Sequence, residues 1–285
     1  MCVSNSNSIL INSSLRKSQR GVALVLVLFL SAIMILLATN VLKQSQSQLS
    51  QSQLVKDKVS AFASGYSTKS EIIFELLTQE PKALVKERNW DFSGAVMDFG
   101  NTKVQIQDLN GLLNIYNFVS HKTLANVFSQ CGVDGNKAVG VAQKVLADHN
   151  KNMSLPIDKY QRLFTLLNDV PLSVKSCIDR NITRFSGAIF NPSTAQREYL
   201  IAKLGNVRAQ KVLTAKENSR EALQQAIADI SPDDPESNQR SIIGPYFRVT
   251  LRAHKDDSNW SEMFEIKIAN RIVKKPLTYL GYSPL

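Results

Sequence analysis

The chain has 285 residues, 44% of them hydrophobic and 20% charged, with a formal net charge of +10. That balance excludes an intrinsically disordered chain, and three cysteines are too few for a small disulfide-framed scaffold. The basic residues are scattered, with no run longer than a pair such as Lys274-Lys275, and read mostly as a solvated surface.

Residues 1–21 contain Arg16, Lys17 and Arg20 and no acidic residue. From Val22 to Leu42 there is no charge, and only Ser31, Thr39 and Asn40 are polar. As a helix this stretch spans roughly 32 Å, enough for a bilayer core of about 30 Å. The basic front places residues 1–21 in the cytoplasm and the chain from Lys43 onward across the membrane. Two plain readings are open. One is a secretory signal peptide, although its apolar run is usually about 7–15 residues and Ala38-Thr39-Asn40 lacks the small residues of a cleavage site. The other is a single-span anchor.

No proline precedes Pro81, and the only glycines before it are Gly21 and Gly65. Val22 to about Thr78 is therefore expected as one helix, apolar all round over 22–42 and amphipathic over 43–80. Its second half carries Val59, Phe62, Tyr66, Ile73 and Leu77 at helical spacing. The Glu80-Pro81 step ends it. Residues 90–116 change period: Ala95 to Phe99, Gly100-Asn101, and Val104 to Gln107 read as strand, turn and strand, with Val104, Ile106 and Asp108 on one face.

Residues 117–240 read as a helical block. Ser120 suits an N-cap, and Asn191-Pro192 suits an N-cap followed by proline at the first helical position. Gly132 and Gly205 stand where helices should stop. Residues 241–285 return to strands, Tyr246 to Ala253 and Met263 to Ala269, joined by a polar turn from His254 to Asn259. The order predicts an α+β fold: a long N-terminal helix packed on a small antiparallel sheet, with a large all-α insertion between strands. With Cys2 in the first segment, Cys131 and Cys177 remain as an even pair. They are either a disulfide of an oxidising compartment or two unrelated buried thiols.

A third reading of the N-terminus starts from Gly21. A short basic leader ending in glycine and followed at once by Val22-Ala23-Leu24-Val25-Leu26 resembles the leader of type IV pilins and pseudopilins. Together with Asp108-Leu109-Asn110-Gly111-Leu112-Leu113-Asn114-Ile115, the Asn191 segment and the Tyr246-Phe247-Arg248 strand, the order resembles the K family of minor pseudopilins of the type II secretion system. The resemblance implies cleavage between Gly21 and Val22 by a prepilin peptidase, with N-methylation of the new terminus. It implies a single-pass inner-membrane subunit with its C-terminal domain in the periplasm. The subunit would initiate or cap the pseudopilus that drives export of folded proteins, with I- and J-type pseudopilins and the inner-membrane platform as partners. Most pilins carry a glutamate at the fifth position of the processed chain; here that position is Leu26, as in the K family, and a carboxylate at such depth is costly unless paired. The partner-facing helix surface would be Leu26, Val59, Phe62 and Tyr66, although the last three could equally pack on the chain's own sheet.

Members of that family can hold calcium on acidic clusters in the insertion. The comparable residues here, Asp148 and Asp158 around a lysine, are too few for six to eight oxygen ligands, so no tight metal site and no cofactor is expected. A minor pilin of a type IV pilus or competence system with weak DNA binding is the alternative. Cys131 to Leu146 faintly resembles a helix-hairpin-helix, in which turn amides hold a phosphate. No catalytic role is expected: His121, His149 and His254 are far apart, and no nucleophile or phosphate-loop motif occurs.

Overall fold

The first element of the computed structural model is a 64-residue helix, α1 (Leu15–Thr78). The structure describes residues 15–116, 120–147, 163–187, 190–230, 243–269 and 276–284. Its packing divides the chain into two units, Met1–Asp57 and Lys58–Leu285. The helix starts ahead of the expected Val22, because Leu15, Arg16, Lys17 and Gln19 are good helix formers and one glycine costs only about 1 kcal/mol in a long helix. It ends before Glu80. Pro81 then opens a short helix α2 (Pro81–Glu87), where its missing N–H would have had no intrahelical partner.

Strands β1 (Ser93–Phe99) and β2 (Thr102–Asp108) form the expected hairpin, with Gly100 at φ +59° in the turn. A 3-10 turn (Leu109–Gly111) leads to a two-residue strand β3 (Leu113–Asn114). Helices α3 (His121–Gln130), α4 (Gly135–Ala147) and α5 (Leu172–Asn181) precede β4 (Ile182–Thr183). Helices α6 (Arg197–Leu204), α7 (Asn206–Asn218) and α8 (Arg220–Ala228) follow, and the chain closes with β5 (Tyr246–Lys255), β6 (Ser258–Ile268) and β7 (Leu277–Pro284).

The main sheet has the order β1-β2-β5-β6-β7 and is antiparallel throughout. Since β2 and β5 are neighbours, everything between Asp108 and Tyr246 is an insertion between adjacent strands. The insertion departs from the expected all-α composition, because β3 and β4 pair in parallel through Leu113–Ile182 and Asn114–Thr183. Strand β7 was not foreseen. Its Gly281 and Pro284 read as strand breakers, but it is an edge strand, where a proline leaves no ladder bond broken.

Alternation along β2 and β5 puts Val104, Ile106, Phe247, Val249 and Leu251 on one buried face, beside Phe264 and Ile266 of β6. Ile72 and Leu76 of α1, Leu84 of α2, Trp90 and Phe92 complete this core. The face of α1 that packs here is a different one from the Val59, Phe62 and Tyr66 row, so these three are not buried against the chain's own sheet as the alternative reading had it. Ala61, Gly65, Thr68, Ile72 and Leu76 are buried, whereas Val59, Phe62 and Tyr66 are exposed. Small residues let the helix approach closely: a Cβ at Gly65 would lie 2.1 Å from the Trp260 ring. Hydrophobic periodicity marks large side chains and therefore does not register a packed face that includes Ala61, Gly65 and Thr68.

The insertion has its own core, built from Leu124, Val127 and Phe128 of α3, Ala138 and Ala142 of α4, Ile178 of α5, Leu200 of α6 and Val212 of α7, with Leu163 and Leu167. Ser120 caps α3, its hydroxyl accepting from the Thr123 N–H at 3.1 Å. Gly132 (φ +96°) and Gly205 (φ +78°) end helices in the left-handed region. Asn191 does not cap a helix: α6 begins at Arg197, and the Asn191 Oδ1 instead accepts from the Ser193 N–H and hydroxyl in a turn.

Candidate functional site

Within α1 the residues from Val22 to Leu42 are exposed, and Leu26 is among them at 56%. Their few hydroxyls are satisfied locally, Ser31 donating to the Leu28 carbonyl and Thr39 to the Leu36 carbonyl, both at 2.9 Å. A helix with its backbone paired internally and its hydroxyls returned to the backbone can lie in hydrocarbon at little cost. Among the described residues, this is the one helix long and apolar enough to cross a membrane. Gly21 and Val22 lie inside the helix.

From Lys58 onward α1 is two-sided. Opposite the packed face, Val59, Phe62, Tyr66 and Phe74 are all more than half exposed. Phe62 stacks on Tyr66 at 6.1 Å between centroids and meets the Trp260 edge at 5.9 Å. The near-helical spacing and the supported aromatic pair make this a row onto which a second helix could pack by ridge and groove. Phe74 was not among the predicted face residues, though its spacing from Tyr66 extends the same row. The helix is anchored to the sheet on its other side. Lys69 pairs with Glu262 and lies 4.6 Å over the Phe264 ring, and Ser64 meets Thr102 at 3.3 Å.

A polar joint holds the insertion to the sheet. The buried Asp108 carboxylate accepts from the Asn110 N–H (3.1 Å), Asn191 Nδ2 (2.7 Å), the Thr194 hydroxyl (3.0 Å) and the Gly244 N–H (3.3 Å). Burial pushes its carboxyl above the usual range, and the four donors pull it back. Around it, Asn110 Oδ1 accepts from the Gly187 N–H and Asn114 Nδ2 donates to the Ser186 carbonyl. Gly111 is required where a Cβ would meet the Thr194 backbone at 2.6 Å. The acidic-x-x-Gly-x-x-Asn pattern is thus a fastening: Asp108 and Gly111 seat the Asn191–Thr194 turn, and Asn114 holds Ser186. Arg248 adds a second clasp. It pairs with Glu265 at 2.8 Å and donates to the carbonyls of Asp179 and Ile182 at the end of α5. The sequence showed the Asp108 pattern but not its partners, which lie some 80 or more residues away.

Cys131 and Cys177 are joined by a disulfide, with Cα atoms 5.6 Å apart, tying the end of α3 to α5. Asp148 and Asp158 lie outside the described residues, among which no cluster of three or more metal-ligating side chains occurs. At the turn before α4, the Asp134 carboxylate accepts from the N–H groups of Asn136 and Lys137 at 3.0 and 3.2 Å. It puts a negative charge where a helix-hairpin-helix would receive a phosphate.

No family model and no curated relative matches the chain. Among solved structures, the chain is similar to one in the GspK-GspI-GspJ complex of the type 2 secretion system from enterotoxigenic Escherichia coli. The identity is 11%, the match covers 85% of this chain and 99% of that one, and the TM-score is 0.45.

Proposed function

We propose that the chain is a minor pseudopilin of a type II protein secretion system, of the K type, acting at the tip or start of a periplasmic pseudopilus. The observation that carries this reading is α1 itself. One helix is free of charge from Val22 to Leu42, and from Lys58 on it packs through only one face, leaving an apolar row of Val59, Phe62 and Tyr66 for neighbouring subunits. The antiparallel sheet interrupted by a large helical insertion between β2 and β5 is the architecture that the resemblance of the Asp108–Ile115 segment implies. The subunit anchors in the inner membrane with its C-terminal domain in the periplasm and is cut and methylated at Val22. It works by assembly and not by catalysis, with I- and J-type minor pseudopilins as neighbours. Leu26, in place of the usual glutamate, suits a subunit that occupies an end and not a repeating position.

The test is the intact mass and N-terminus of the protein from membranes, with and without an active prepilin peptidase. A methylated chain starting at Val22, seen only with the peptidase, is expected. An uncut chain, or a start beyond Ala38, removes the filament reading. Phe62→Asp is expected to abolish co-purification with the other minor pseudopilins while leaving the fold intact, because its ring is half exposed. Undiminished co-purification would assign the contact to another face.

A further inference from the structure

A cleft of about 380 Å³ lies where the insertion meets the sheet, between α2, the Trp90–Ser93 segment and helices α7 and α8. Its volume is in the range that takes a small organic ligand, and junctions between packed units are where such pockets form. The wall is divided by chemistry. Trp90, Phe92 and Ile227 give it an apolar floor, each more than nine-tenths buried. Lys82, Lys216 and Arg220 converge on it from three different helices, against a single carboxylate, Asp91.

The groups around this cleft are unequally satisfied. Asp91 Oδ1 is occupied by the Ser93 N–H and hydroxyl at 2.6 Å each. Lys216 donates to the Ala195 carbonyl at 2.8 Å, and burial draws its pKa down to about 8, so nothing nearby fully offsets its charge. Lys82 and Arg220 pair with no carboxylate among the described residues. The indole N–H of Trp90 has no acceptor among the described residues, although the side chain is 6% exposed. A buried indole N–H normally finds a partner.

We propose that this cleft is a binding site for an apolar carboxylate, whose hydrocarbon part lies on Trp90, Phe92 and Ile227 and whose carboxylate is held by Arg220 and Lys82. Such a group supplies the negative charge that Asp91 alone does not. A neutral apolar molecule would leave the three cations without that charge, and an inorganic anion would leave the floor uncovered. The carboxylate can belong to a free acid or to the C-terminus of a polypeptide ending in an apolar residue.

The full chain in detergent, carrying Trp260→Phe so that Trp90 is the sole tryptophan, is titrated with N-acetyl-phenylalanine, its amide, and the tripeptide Gly-Gly-Phe. Trp90 emission should change saturably with the acid, and the amide should bind about tenfold more weakly. The Lys82→Gln/Arg220→Gln variant, changed only at exposed positions, should lose a similar factor. Ligand-observed saturation-transfer NMR on the unsubstituted chain gives the same comparison independently of Trp260. Tighter binding of Gly-Gly-Phe than of the capped amino acid would identify a chain terminus as the ligand; the reverse order would identify a small acid. No saturable response by either method up to about 20 mM overturns the proposal. So does an amide that binds as well as the acid, or a variant that binds as well as the parent.

Discussion

The sheet core and the insertion core are built in opposite ways. The sheet core interleaves aromatic rings and β-branched residues on strands of seven to eleven residues, with α1 laid across one face. The insertion core is made by helices of eight to thirteen residues, many contributing alanine or valine at the contact. Helices that short are marginal alone, and small side chains bury little area, so the insertion depends on cross-links in a way that the sheet does not. Its cross-links are the Cys131–Cys177 disulfide within and the Asp108 and Arg248 clasps at its border. The sheet is held chiefly by strand pairing over long registers, to which the Arg248–Glu265 pair between β5 and β6 adds.

The largest expected effect falls on one side of this divide. Reducing the disulfide, or Cys177→Ser, should cost about 4 kcal/mol for a loop of this length. Hydrogen exchange should speed up in α3 to α5 and stay slow in β2 and β5. Equal acceleration in both would mean that the two cores open as one unit.

Asp108→Ala strikes the joint and should cost about 3 kcal/mol by orphaning buried donors. Thermal unfolding followed separately by far-ultraviolet circular dichroism and by tryptophan emission should then split into two transitions. A single coincident transition would show that the clasp does not couple the cores. Its pH sense is fixed by direction: a carboxyl raised in the folded state takes up its proton there first. The charge-burial penalty is thus full above the folded pKa and is relieved as pH falls toward 3.8.

Gly65→Ala tests the sheet side by overpacking. With Trp260 in the way of the new methyl, a loss of about 1–3 kcal/mol is expected, with the Trp260 emission shifted to the red as the ring is displaced. Unchanged emission would mean that the helix backbone, and not the Trp260 ring, moves to make room.

The most gradual effect is a slope. Lys216, held at about 8 by burial, loses its proton earlier in the folded protein than in the unfolded chain. Stability should therefore rise with pH between about 8 and 10.5, and Lys216→Met should flatten that rise. An identical slope in the variant would move its origin to another group.

What was legible in the sequence was local. An uncharged run, the absence of proline before Pro81, the Gly100-Asn101 turn and the alternation in β2 and β5 each express a rule that acts over a few residues, and each element formed where that rule placed it, apart from the earlier start of α1 at Leu15. The limits of such rules are equally visible. The exposed row of Phe62 and Tyr66 carries the stronger hydrophobic signal, yet Ala61 and Gly65 took the packed face, because close approach to Trp260 rewards small size. Asn191 before Pro192 has the local form of a helix start, but Asp108, distant in sequence, claims its amide. So the amino-acid order by itself determined the long helix, the hairpins β1–β2 and β5–β6, and which run is apolar enough to enter a membrane, but not β3, β4 or β7. Tertiary structure alone decided which helix face is buried, that Cys131 and Cys177 meet, and that Lys82, Lys216 and Arg220 share a cleft with Trp90. Those outcomes depend on distances between segments far apart in the chain, which no local spacing encodes.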